Sequence, residues 1–310
     1  MMGWLENYPR DYYQKYERVP VANDCGWFEV YRLPGDVYAI AEPQQFQEVN
    51  FFLIIGSERA LLLDTGMGIC PIKPLIRELW DGEVVTVNCH CHFDHIGNNS
   101  VFQPVHVFNH PLALRTAETG LTREMVGAEA DEDLFQFGYP EGFDPETFHI
   151  EPYSVIPIED GHTFDLGNRQ IRVFHTPGHS EDHIVLYDET HQILFTGDMV
   201  YLGALYTHFD NPVFGRGDIY DYRDSLARVR DAISPASVLY CSHNDFVTDY
   251  AKLCEVVDAL QQVIDAETGA GTGSRDEGPI GKGHDYGELA NQPHVYQFDG
   301  FSIFCRPGLI

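Results

Sequence analysis

The chain has 310 residues, 44% of them hydrophobic and 22% charged, which places it among folded globular proteins long enough to bury a core without disulfide staples. Nineteen basic against 48 acidic residues leave a formal charge of −29; a field of that sign repels nucleic acid and anionic membranes and disfavours polyanionic substrates. No apolar run is long enough to span a bilayer, residues 1–10 lack a basic segment followed by an apolar one, and the seven cysteines match no paired zinc-knuckle spacing, so the sequence predicts a cytoplasmic protein with free thiols.

Along the chain, residues 27–33 alternate as a strand and turn at Pro34-Gly35-Asp36. Residues 49–55 and 60–63 are densely apolar and end in Asp64-Thr65-Gly66-Met67-Gly68. Ile72, Leu75, Ile76 and Leu79 give 71–80 helical spacing, and 84–87 is a short buried strand that runs into His90-Cys91-His92-Phe93-Asp94-His95. Residues 111–150 differ in character and are read as an insertion or lid over the site, with helices at 112–119 and 124–137 and an aromatic stretch to Phe148. Strands return from Tyr153, helices follow at 222–232 and 250–267, and a Gly-rich loop occupies about 268–288. Residues 295–298 and 301–304 around Asp299-Gly300 predict a closing hairpin. This order suits an α+β fold, two sheets sandwiched between helices, in a single domain over 1–310.

The chemistry centres on the histidine cluster. Divalent metals are held by neutral imidazoles and carboxylates. A strand ending near Asn88 points residues 90 and 92 to one side, while Asp94 and His95 swing round the first turn of a helix, so one segment can serve two adjacent ions. Further donors must come from other strand ends. Three apolar strands end in one: His179 after 171–174, Asp198 after 192–194, and His243 after 238–239.

The segments Leu63-Asp64-Thr65-Gly66, His90-Cys91-His92-Phe93-Asp94-His95, Pro177-Gly178-His179-Ser180, Thr196-Gly197-Asp198 and Ser242-His243 together resemble the five ordered motifs of the metallo-β-lactamase superfamily. The resemblance implies an αββα sandwich of two mixed β-sheets flanked by helices. It also implies two divalent ions, zinc before iron or manganese. His90, His92 and His179 would hold one ion, Asp94, His95 and His243 the other, with Asp198 bridging and Asp64 orienting the ligands through hydrogen bonds. His183 is left open between a structural histidine and a partner of the ligands. His106, His110, His149, His162, His175, His191, His208, His284 and His294 are read as surface or core residues.

The resemblance implies a dinuclear metal-dependent hydrolase, in which a metal-bridging hydroxide attacks a lactone or carboxylic ester carbonyl and Asp94 orients the nucleophile and carries its proton. Thioester hydrolysis, of acyl-CoA or glyoxalase-II type, is the alternative, and phosphodiester hydrolysis is disfavoured by charge. Asp198 at the bridging position argues against antibiotic hydrolysis. Tyr201, three residues past it, resembles a tyrosine of the quorum-quenching lactonases and would donate a hydrogen bond to the substrate. The run 197–203 is similar to acyl-thioester hydrolases as well. Phe135, Phe137, Tyr139, Phe143 and Phe148 of the insertion, with Tyr206, Phe209 and Phe214, are candidates to line an acyl pocket. The expected partner is a small-molecule substrate, with no nucleic acid and no membrane, and a homodimer is left open.

Overall fold

The computed structural model describes residues 10–269 and 293–308. The first sheet has eight strands in sequence order, from Glu17–Arg18 to Val155–Ile158. Neighbours are antiparallel up to Ala60–Leu63 and parallel through Val84–Val87, Val105–Phe108 and Val155–Ile158. The second sheet has six strands in the order Val247–Asp249, Val238–Tyr240, Ile193–Phe195, Ile184–Asp188, Gln170–His175 and Thr163–Asp165.

Both faces of each sheet are covered, which is why the central strands read as continuous apolar runs rather than as alternations. In Asn50–Ile55, Phe52 and Ile54 point between the sheets, against Ile171, Leu186 and Phe195, while Phe51 and Leu53 point outward. The outward face of the first sheet packs on the helices Lys73–Leu79 and Pro111–Thr119. That of the second packs on Ile219–Ala232 and Tyr250–Glu267. The result is the αββα sandwich expected from the sequence. One polar lock crosses it: the fully buried Arg169 pairs with Asp188 and donates to the carbonyls of Gly35 and Ile55.

Two local expectations change. The helix expected at 124–137 is only Arg123–Val126, followed by 3-10 turns at Gly127–Ala130 and Glu132–Leu134. Gly127 and the run of acidic residues at 131–133 weaken helix propagation there. The closing hairpin forms as His294–Phe298 with Phe301–Cys305, and it adds a third, parallel strand, Ala204–Tyr206. Most of the Gly-rich loop lies outside the described residues, as do residues 1–9. The seven cysteines form no disulfide with one another, and no described helix is long and apolar enough to cross a membrane.

Candidate metal centre

The candidate residues come together where strands of both sheets end. Val84–Val87 delivers 88–95, Gln170–His175 delivers His179, Ile193–Phe195 delivers Asp198, and Val238–Tyr240 delivers His243. His90, His92, Asp94, His95, His179, Asp198 and His243 are all at least nine-tenths buried. Two glycines make the ligand turns possible. Gly178, at φ +145°, lies so close to the helix Ile219–Ala232 that an added Cβ would stand 2.2 Å from Tyr222 Cα. At Gly197, φ +50°, it would stand 2.5 Å from His183 Nε2.

Hydrogen bonds fix which nitrogen of each ring faces inward. His179 Nδ1 donates to the Tyr206 carbonyl (3.0 Å), His92 Nε2 to the Phe214 carbonyl (2.9 Å) and His243 Nδ1 to the Gln47 carbonyl (2.7 Å). His95 Nδ1 donates to Asp64 Oδ2 (2.9 Å). His90 Nδ1 donates to Cys89 Sγ (3.1 Å), whose thiol passes the bond on to Asp64 Oδ2 (2.9 Å). Asp64, with a left-handed φ of 65°, also takes the Cys89 N–H (2.8 Å). Every imidazole is therefore neutral-competent, with its bare nitrogen turned to a common point.

Apart from His243 Nε2, which lies 3.1 Å from Asp198 Oδ2, these bare atoms meet no proton donor among the described residues, and together they fit a cation. His92 Nδ1 and His179 Nε2 face each other at 3.0 Å with their protons on the opposite nitrogens. Two lone pairs at that distance repel unless a positive charge lies between them. His90 Nε2, His95 Nε2 and Asp198 Oδ1 are buried without a hydrogen-bond partner. The donors group as His90, His92 and His179; as Asp94, His95 and His243; and as His90, His95 and Asp198, each set within 4.8 Å. Asp198 reaches both sides, 3.4 Å from His179 Nε2 and 3.1 Å from His243 Nε2.

The electrostatics agree. Burial, with the neighbouring rings, holds His90 well below the usual histidine range, and burial does the same for His179. Burial also pulls on His95, but Cys89, Asp198, Asp94 and Asp64 outweigh it and raise the imidazole well above that range. The field that favours a proton on His95 would favour a metal ion there. Asp198 is opposed by burial and is nevertheless pushed well below the carboxylate range by His243, His95 and His90.

Behind these donors stands His183. The Asp198 N–H donates to its Nε2 (3.1 Å), so its proton sits on Nδ1 and is given to Thr176 Oγ1 (2.9 Å). Burial lowers it to about 3, so it serves as a neutral acceptor that fixes the Asp198 turn. The other described histidines do not line the cleft.

The donors open into a narrow cleft with about 50 Å³ of room for water-sized molecules. Its apolar lining is Phe93, Tyr201, Tyr206, Phe209 and Phe214, and its polar lining includes Gln47 and Glu129. The aromatics of the insertion do not line it. Phe135, Tyr139, Phe143 and Phe148 pack into the core beside Trp27, and Phe137 is 66% exposed. The residue that the insertion contributes is Glu129, whose carboxyl is raised to about 8 by burial and by Asp94. Tyr201 lines the cleft with its ring, 5.0 Å from the ring of His243, but its hydroxyl donates to the Ala204 carbonyl. Sequence reasoning did not single out Glu129 or Gln47, and it read Cys89 only as one of seven free thiols. Only for Cys89 was there a signal, its place directly before His90.

A family model described as "Metallo-beta-lactamase superfamily" matches residues 45–243. Acyl-coenzyme A thioesterase MBLAC2 of Gallus gallus is 32% identical over 193 residues, covering 58% of this chain and 68% of that protein. An atrochrysone carboxyl ACP thioesterase of Aspergillus fumigatus is 28% identical over 167 residues, 52% of this chain and 32% of the other. Among solved structures, a metallo-beta-lactamase from Pontibacter korlensis superposes with a TM-score of 0.55 at 21% identity, over 76% of this chain and 99% of that one. At that identity the likeness speaks for the fold alone.

Proposed function

Since the chain belongs to the metallo-β-lactamase superfamily and is a hydrolase of that superfamily, we propose that it hydrolyses acyl thioesters at a centre for two divalent metal ions. His90, His92 and His179 would hold one ion and Asp94, His95 and His243 the other, with Asp198 shared between them. The observation that carries this reading is the set of inward-facing bare nitrogens opening into an aromatic-lined cleft. Zinc suits this donor set best. When bound, such a pair of cations lowers the pKa of water toward neutrality and polarises the attacked carbonyl.

The chain's own groups do the rest. Phe93, Tyr206, Phe209 and Phe214 bind the acyl portion and exclude bulk water. Asp94 takes the proton of the attacking water on its carboxylate and returns it to the leaving sulfur, so that water and thioester become acid and thiol. Asp64, Cys89 and His183 hold the rings and the Asp198 turn in register. Thioesters are preferred to lactones on two grounds. The relatives named above are thioesterases, and the Tyr201 hydroxyl, which favoured a lactone, is engaged with Ala204.

The −29 charge supports a thioester whose carrier is not heavily anionic. The metal-loaded protein is to be assayed with acyl-pantetheine and acyl-CoA thioesters of graded chain length, matched oxygen esters, lactones and bis-nitrophenyl phosphate. The expected result is the highest kcat/KM on acyl-pantetheine thioesters, with the KM for acyl-CoA falling as salt screens the repulsion. Turnover of a lactone or the phosphodiester without turnover of any thioester would overturn the reading.

A further inference from the structure

We infer that the N-terminal segment Arg10–Tyr16 is a positioning strap for His243, and through it for the second of the two metal ions; the inference rests on the ligand assignment proposed above. Four polar side chains of this short segment converge on just two carboxylates. Arg10 and Tyr12 both donate to Glu48, Arg10 Nε at 2.6 Å. Lys15 and Tyr16 both donate to Asp245. Both carboxylates are buried in the fold, Glu48 almost completely. Between these bonds the rings of Tyr13 and Tyr16 pack on Phe246, with centroids 5.1 and 4.9 Å away.

The two carboxylates are not placed at random. Glu48 follows Gln47, whose carbonyl accepts from His243 Nδ1 at 2.7 Å. Asp245 lies two residues past His243. The backbone of Glu48 is left-handed, φ 44°, and its carbonyl accepts from the N–H of Asn244, itself at φ 59°. Val49 and His243 form an isolated bridge between the same two segments. The strap therefore holds both flanks of His243, one through the residue beside its hydrogen-bond acceptor and one through the residues just after it.

The physical argument concerns the Glu48 carboxylate. Its negative charge is tolerable in the interior only because Arg10 and Tyr12 meet it. Without them the side chain must swing out to reach water, and the strained φ of Glu48 loses the contact that sustains it. The Gln47 carbonyl is then free to turn away, and His243 loses the bond that aims its Nε2 inward. Nothing in the strap touches His90, His92 or His179, whose outer partners are Cys89, Phe214 and Tyr206. The effect should therefore fall on one ion and spare the other.

The test is zinc and cobalt binding to the full chain by competition with a chelator, for wild type, Arg10→Met, Tyr16→Phe and the conservative Arg10→Lys, with folding checked by circular dichroism. Wild type should bind two ions per chain. In Arg10→Met one of the two binding steps should lose about tenfold to a hundredfold in affinity, the range found when a ligand's hydrogen-bond partner is removed. The other step should hold, the cobalt spectrum of the ion at His243 should change, excess metal should restore activity, and Arg10→Lys should recover part of the loss. If Arg10→Met does not fold, Tyr16→Phe, which removes a single hydroxyl, carries the same comparison. Folded variants with both steps unchanged, or with both weakened equally, would overturn the strap. A wild type that binds fewer than two ions, or a His243→Ala variant that still binds two, would instead overturn the ligand assignment beneath it.

Discussion

The two imidazole clusters of the centre are built alike and braced differently. In the first, His92 and His179 donate to the carbonyls of Phe214 and Tyr206, which belong to the same segment that lines the cleft. That segment is pinned by the C-terminal hairpin, through the pairing of Ala204–Tyr206 with Phe301–Cys305. In the second, His95 and His243 lean on Asp64 and Gln47, at the ends of the first sheet, with the N-terminal segment behind them. Cleft wall and donor cluster thus share one segment on the first side, whereas on the second Gln47 alone both lines the cleft and accepts from a donor ring, with the N-terminal segment behind it.

The shared residue offers the sharpest break. Asp198 serves both clusters, so Asp198→Asn should lose both metal ions together and lower thioester turnover by more than about a hundredfold, beyond the cost of losing an outer partner. Metal content and kcat measured on one preparation would check it; retention of either ion would mean that the clusters are independent.

Stability against pH probes the ground beneath the second cluster. Glu42 is buried, accepts from Trp27 Nε1 (2.6 Å) and Met67 N (2.8 Å), and is raised from 4.5 to about 7, mainly by burial, with Asp94 adding to it. Below pH 4.5 both folded and unfolded states carry the proton. As pH rises the unfolded chain releases it first, so the native state binds more protons and stability falls, until the folded group ionises near 7. The full loss is of order 3 kcal/mol, roughly 1.4 per pH unit. Urea unfolding of the chelated protein at several pH values should show this slope, and Glu42→Gln should flatten it. A slope of the same size in the variant would place its origin elsewhere.

The coupling of wall to first cluster is tested by Phe209, whose ring lies 5.5 Å from that of His92 and 5.6 Å from that of His179. Phe209→Ala should raise KM for long acyl chains by about tenfold, as lost apolar contact implies. It should also loosen the first ion while leaving the second. A pure KM effect with both metal steps intact would separate wall from ligands after all.

What the sequence made legible follows the same division. Every residue gathered at the centre sits at the end of an apolar strand or in the His90–His95 segment, so local pattern and order were enough to name the side chains that the fold brings together. The sandwich was legible because strands buried on both faces leave long apolar runs such as 50–55. What could not be read depends on contacts across the fold. The aromatics from Phe135 to Phe148 look the same in sequence whether they face a cleft or the core; here Phe135 packs on Trp27 with Tyr139, Phe143 and Phe148 behind it, and Phe137 faces solvent. Glu129 reaches the cleft from a segment expected to be helix, and Arg10 meets Glu48 across 38 positions. Tyr201 lines the cleft, but its hydroxyl, expected to serve the substrate, donates to Ala204, a contact that no motif records.

That hydroxyl gives the smallest and most discriminating prediction. If Tyr201 acts by donating to the substrate, Tyr201→Phe removes a hydrogen bond formed in the transition state, and kcat should fall by about a hundredfold or more. With the proton held by Ala204, the phenyl ring keeps its packing beside His243 and the loss is confined to the Ala204 bond. We therefore expect kcat/KM for thioesters to stay within about threefold of wild type, with a stability loss of about 1 kcal/mol. The comparison must be run on lactones as well. A large loss on lactones alone would mean that the hydroxyl turns from Ala204 to serve an oxygen leaving group, and that the side of the cleft next to His243 selects between the two substrate classes.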